Sequence, residues 1–164
     1  MENRNPITPN NFLKTFKILH LALLIGMLFF GVVVYMQNDS WELTFFDAED
    51  VFLYLSPVLA IGGIVVGNII FKKFIEKARL QPTLNLQLQG FQSASVIKYS
   101  LVEGPALFSL VSAMISSNLF FFIIAGVLSG YLFSLRPTKD KIVNQLKLNH
   151  EMKTRFNSGD QTLD

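Results

Sequence analysis

Residues 18–36 read ILHLALLIGMLFFGVVVYM, a stretch without Asp, Glu, Lys or Arg. At 1.5 Å of rise per residue, a helical run of this length nearly matches the roughly 30 Å hydrocarbon layer of a bilayer. Three more apolar stretches follow: Val51 to Phe71, Val96 to Ile115 and Leu119 to Leu135. Each approaches the ~20 residues that a membrane-crossing helix requires, the last by a narrow margin. Backbone N–H and C=O groups find no partner in hydrocarbon, so the stretches are expected to be helical, and none alternates as a barrel strand does. A water-soluble bundle would need polar faces that they lack. The expected fold is all-α: a polytopic four-transmembrane-helix bundle over residues 1–136, with spans near 16–36, 51–72, 95–116 and 119–135, and a cytoplasmic amphipathic tail over residues 137–164.

The composition points the same way. Of the 164 residues 51% are hydrophobic and the mean hydropathy is +0.40, too apolar for an ordinary soluble domain. Lys14 and Lys17 precede the first stretch as a charged leader would, but Val34-Tyr35-Met36-Gln37 offers no small-residue cleavage site, so the stretch reads as a retained span. The absence of cysteine removes disulfides, thiolate metal ligands and thiol nucleophiles together.

Charge sorts by connection. Arg4, Lys14 and Lys17 precede the first stretch, Lys72, Lys73, Lys77, Arg79 and Lys98 surround the second connection, and the remaining cations run from Arg136 to Arg155. The first connection carries Asp39, Glu42, Asp47, Glu49 and Asp50, and the turn Ser116-Ser117-Asn118 carries no charge. The positive-inside rule then places both termini in the cytoplasm and the protein in the inner cell membrane. Trp41, with Phe45 and Phe46, reads as an interfacial anchor, and Asp47 or Asp50 as a cap for the second helix.

Between the second and third spans, Pro82 separates an extension of one helix from the approach to the next. The run Leu84 to Gln89 alternates with strand period, yet Leu84, Leu88, Phe91 and Ser95 also share one helical face, with Thr83 as a cap, and helix is the reading adopted. After Arg136-Pro137 one amphipathic helix is expected, with Ile142, Val143, Leu146, Met152 and Phe156 near one face, suited to an anionic leaflet or a partner. Its basic residues are too sparse for nucleic acid. Asn157 to Asp164 are expected to be disordered.

Glu103 is the lone carboxylate inside the four stretches, followed by Gly104 and Pro105. An ionised carboxylate at that depth costs several kcal/mol, so it is expected to be protonated, paired or open to a wet cavity. Pro105 cannot donate to the Leu101 carbonyl, which predicts a kink, and Gly104 is expected to let a neighbouring helix approach. His20, Asn68, Tyr99 and Ser100 lie at similar depth and form the expected supporting polar cluster, His20 near enough to the interface to snorkel. Gly63 and Gly67, and Gly126 and Gly130, are spaced as packing stripes. Ser109, Ser112 and Ser116 make a small polar stripe that could line a path.

Ile61-Gly62-Gly63-Ile64-Val65-Val66-Gly67, then Arg79-Leu80-Gln81-Pro82, then Glu103-Gly104-Pro105-Ala106-Leu107 set in order a glycine-bearing helix, a basic loop and a helix with a central acid. From residue 57 to 116 this order resembles the hairpin of the proteolipid c subunit of rotary ATP synthases. The resemblance implies that Glu103 would be a carboxylate binding a proton or sodium ion. Leu80 interrupts the Arg-Gln-Pro signature of that family's loop and further helices flank the hairpin, so Glu103 alone would inherit a role.

No nucleophile with a base, no metal-ligand spacing and no phosphate-cradling loop occurs, so neither catalysis, a metal nor a cofactor is expected. The function expected is that of a small non-catalytic subunit or accessory component of a membrane complex, whose partners are the bilayer and other membrane subunits or copies of itself. Proton or cation translocation through Glu103 is the alternative.

Overall fold

The computed structural model describes residues 8–159, and Arg4 and Asp160 to Asp164 lie outside them. Six helices make up the described chain: α1 (Pro9–Met36), α2 (Phe52–Arg79), α3 (Leu84–Ser116), α4 (Phe120–Ser134), α5 (Lys139–Leu146) and α6 (His150–Ser158). Short polar side chains explain where they start, because the first N–H groups of a helix lack intrahelical acceptors. The Thr8 hydroxyl accepts from the Asn11 N–H at 3.3 Å, with Pro9 in the first turn, and Thr83 accepts from Leu86 at 3.3 Å. Thr138 and Asn149 do the same for α5 and α6. At α2 the cap position is Val51, which has no side-chain bond to give; Asp50, one residue ahead, accepts from the Phe52 N–H at 2.9 Å, and Asp47 accepts from Glu49 instead of capping the helix.

Helices α1, α2 and α3 are each long and apolar enough to cross a membrane. With 15 residues, α4 reaches that length only together with α5, across a bend of 79°. Three to four crossing helices are thus available. Both α1 and α3 begin well before the expected spans, since their caps lie at Thr8 and Thr83. The run with strand period is helical, and Leu84, Leu88, Phe91 and Ser95 are all buried along one face of α3.

The connections gather at two ends of the bundle. At one, the Glu42 N–H donates to the Ser117 carbonyl at 3.0 Å and the Leu119 N–H to the Glu42 carbonyl at 2.8 Å. The buried Asn118 locks this junction, its amide donating to the Thr44 carbonyl at 2.8 Å and accepting from the Thr44 and Phe120 N–H groups. Trp41 stacks on Tyr35 at 5.6 Å and meets Phe122 edge-on. At the other end, Arg79 Nε donates to the Gln145 carbonyl at 2.8 Å and the Asn10 N–H to the Gly159 carbonyl at 3.3 Å.

The described tail departs from the expectation of one amphipathic helix, and residues 157 and 158 are helical where disorder was expected. Lys147 takes a left-handed φ of 53° and ends α5, and α6 restarts after Asn149. Ile142, Leu146 and Phe156 are buried in the common core, while Asn157 and Ser158 complete α6. Apolar burial against the bundle supplies the ordering that exposed termini lack.

Helices α2 and α3 form the closest pair. The Leu101 carbonyl oxygen occupies the space that a Cβ on Gly63 would need, and Pro105 Cγ would lie 2.9 Å from that Cβ. Gly67 sits in ordinary contact with Lys98 and Leu101, and Gly90 is pressed against Ala78.

Candidate functional site

Glu103 lies on α3, partly exposed on the flank of the bundle. On either side of it, Ser100 and Gly104 are exposed, and a Cβ on Gly104 would meet open space. Gly104 is therefore not the point of close approach; that place falls to Gly63, one helix away, against the carbonyl that Pro105 leaves without an intrahelical donor. The helix continues through Pro105. Among the described residues Glu103 meets no hydrogen-bond or ion-pair partner, so the expected cluster does not assemble around it.

The polar residues converge instead on the C-terminal half of α4. His20 is buried, not snorkelling, and its Nε2 donates to the Leu132 carbonyl at 2.9 Å. The Tyr99 hydroxyl donates to the Leu135 carbonyl at 3.1 Å, its ring 5.0 Å from the His20 ring in an edge-on arrangement. Asn68 exchanges hydrogen bonds with the Tyr131 hydroxyl at 3.2 and 3.3 Å. Lys141 Nζ completes the set, donating to the Ser134 carbonyl at 2.7 Å and the Arg136 carbonyl at 3.2 Å. The setting is the end of a helix: the Leu135 and Arg136 N–H groups close on the Leu132 and Phe133 carbonyls in a tightened turn, His20 adds a second donor to Leu132, and Tyr99 and Lys141 reach the carbonyls of residues 134–136, which no following helical turn pairs. Ser100 takes no part. Ser109 and Ser112 donate to the Pro105 and Phe108 carbonyls of their own helix, at 2.9 and 3.0 Å, so their hydroxyls are committed locally.

Sequence reasoning missed Tyr131 and Lys98, whose ammonium lies 5.0 Å from the Phe71 ring centre and 5.8 Å from that of Tyr131. Neither carried a sequence signal of its role, since Tyr131 meets a side chain of another helix and Lys98 meets two rings. Gly126 and Gly130 are exposed with open space beside them, so that stripe packs on nothing within the described chain.

Comparison with family models, curated proteins and solved structures gives no match. Among the described residues, no group of three His, Asp or Glu side chains is placed to hold a metal ion. Chemically, the site is a carboxyl group on an outer helix face, offered sideways, while His20, Tyr99 and Asn68 are bonded elsewhere within the bundle.

Proposed function

We propose that the protein is a small non-catalytic subunit of a membrane complex, docking through the α3 face around Glu103. The carrying observation is that this carboxyl is partly exposed and lacks a partner among the described residues, while the adjoining Ser100 and Gly104 are unpacked. Ser100, Gly104, Leu107 and Val111 follow the i, i+4, i+7, i+11 spacing of one helix face. A carboxyl bordering hydrocarbon is costly, and small residues beside it allow another helix to come close. The partner is a helix presenting a hydrogen-bond donor or a cation to Glu103, from another subunit or a second copy.

In this reading all four apolar stretches cross the inner cell membrane, α4 included, with both termini cytoplasmic. It is supported by the acidic first connection and the uncharged α3–α4 turn meeting at one end, while Arg79 and the tail meet at the other. The natural lack of cysteine makes a clean test available. In native membranes, Gly104→Cys should cross-link to a neighbouring chain, whereas Gly67→Cys, buried against α3, should not. A membrane-impermeant thiol reagent should label Ser40→Cys and Lys153→Cys from opposite sides. Equal cross-linking at positions 67 and 104, or recovery of a solitary monomer in mild detergent, would remove the docking reading.

A second reading, ion translocation, is favoured by the same lateral placement of Glu103 on the tightly packed α2–α3 hairpin, where a ring-forming proteolipid would present its ion-binding acid. It predicts that a hydrophobic carbodiimide labels Glu103 and that Glu103→Gln abolishes ion flux in proteoliposomes. Unmodified Glu103 with unchanged flux in the variant would reject it.

A further inference from the structure

Where α1 passes the elbow between α4 and α5, the bundle holds an open cavity of about 410 Å³. Lys17, His20, Leu21 and Leu24 line it from α1, and Phe133 and Arg136 from the opposite wall. Positions 17, 20, 21 and 24 follow the i, i+3, i+4, i+7 spacing and so share one face of α1. Along that face the lining changes from cationic to apolar over about 10 Å. The opposite wall repeats the order, with the Arg136 guanidinium 5.7 Å from the Phe133 ring centre. No Asp or Glu is among the described residues that line the cavity, and neither Lys17 nor Arg136 is ion-paired to a described residue. Between the walls, His20 gives Nε2–H to the Leu132 carbonyl, and its Nδ1 bonds no described residue.

We propose that this cavity binds an anionic glycerophospholipid, its phosphodiester between Lys17 and Arg136 and an acyl chain along Leu21, Leu24 and Phe133. Two uncompensated cations on facing walls suit a phosphate anion, which accepts strong charge-assisted hydrogen bonds from Lys and Arg. A free phosphate would share that chemistry, but it would make no use of the apolar half. Basic pockets between helices on the cytoplasmic side are a recurring setting for anionic headgroups. The depth of the cations at headgroup level rests on the proposed crossing topology, whereas the order of cationic and apolar lining does not.

The test is native mass spectrometry of the full chain in mild detergent, titrated with dioleoylphosphatidylglycerol or dioleoylphosphatidylcholine. The anionic lipid should be retained in preference to the zwitterionic one. Lys17→Gln with Arg136→Gln should weaken its binding by roughly fivefold per cation removed, about 25-fold in all. Lys72→Gln with Lys73→Gln, away from the cavity, should leave it unchanged. Leu21→Trp, which narrows the apolar half and keeps both cations, should also weaken retention. Circular dichroism would check that each variant stays helical, and both cations are exposed, so folding should survive their loss. Equal retention of the two lipids, or equal losses in the Lys17/Arg136 and Lys72/Lys73 pairs, would overturn the proposal. Displacement of the lipid by millimolar inorganic phosphate, with Leu21→Trp silent, would also overturn it and assign the cavity to free phosphate. Failure of the wild-type chain to float with vesicles would count against the crossing topology, whereas loss of lipid selectivity in a floating protein would count against this site alone.

Discussion

Gly63→Ala should sharply lower the unfolding temperature of the detergent-solubilised chain, while Gly62→Ala leaves it nearly unchanged. The two glycines are adjacent in sequence and differ in what faces them. A Cβ at position 62 meets open space, whereas at position 63 it runs into the Leu101 carbonyl oxygen, with Pro105 beside it. A flexible side-chain end could swing away at little cost. A backbone carbonyl in mid-helix cannot, so the α2–α3 pair has to separate along its length. Overpacking of this kind costs about 1–3 kcal/mol, toward the upper end when the obstacle is backbone. Thermal circular dichroism of both variants provides the comparison. Equal effects at the two positions would mean that α2 and α3 do not approach at Gly63.

Phe16→Ala is expected to be more damaging still, at about 3–5 kcal/mol. Phe16 is fully buried at the end of the bundle where Arg79 meets the tail, its ring 5.9 Å from Phe12, 5.9 Å from Phe91 and 6.0 Å from Tyr99. Its loss opens a cavity between α1 and α3 and loosens Tyr99, whose hydroxyl holds the Leu135 carbonyl. Phe29→Ala, at a position 69% exposed, serves as the matched control and should change stability little. Chemical unfolding in mixed micelles measures both; comparable losses would show that position 16 is no more central than an exposed one.

Much of the helical architecture can be read from the residues, and the physics explains which parts. Uncharged runs long enough for hydrocarbon have few alternatives to helix, and Thr83 and Asp50 are residue types that satisfy free N–H groups, so their helix starts are legible. The segment from Leu84 to Ser95 reads correctly because a helical face accounts for more buried residues than a strand with no partner. The break at Lys147 is hidden, because a left-handed residue is usually announced by glycine and here it is a lysine. The partners of His20 and Tyr99 are hidden for another reason: they are backbone carbonyls, which carry no side-chain signal. Small residues at positions 63, 104, 126 and 130 look alike in sequence, and periodicity puts each on a face without saying which face meets a neighbour. Glu103 stands out from its residue type as the one acid within an apolar stretch, but its sideways presentation depends on which flank of α3 the other helices leave uncovered.

The proposed crossing topology gives the brevity of α4 a consequence for the surrounding bilayer. Fifteen helical residues rise about 22 Å, against a hydrocarbon thickness of roughly 30 Å. Where α4 crosses, the shortfall has to be met by local thinning of the bilayer or by polar groups reaching inward to the helix end, each at a fraction of a kcal/mol per ångström. The longer α1 and α2 can accommodate a thicker layer by tilting. On the proposed crossing topology, the two sides of one small bundle would favour different membrane depths, a mismatch that would draw the protein toward thin regions or toward neighbours that cover its short side.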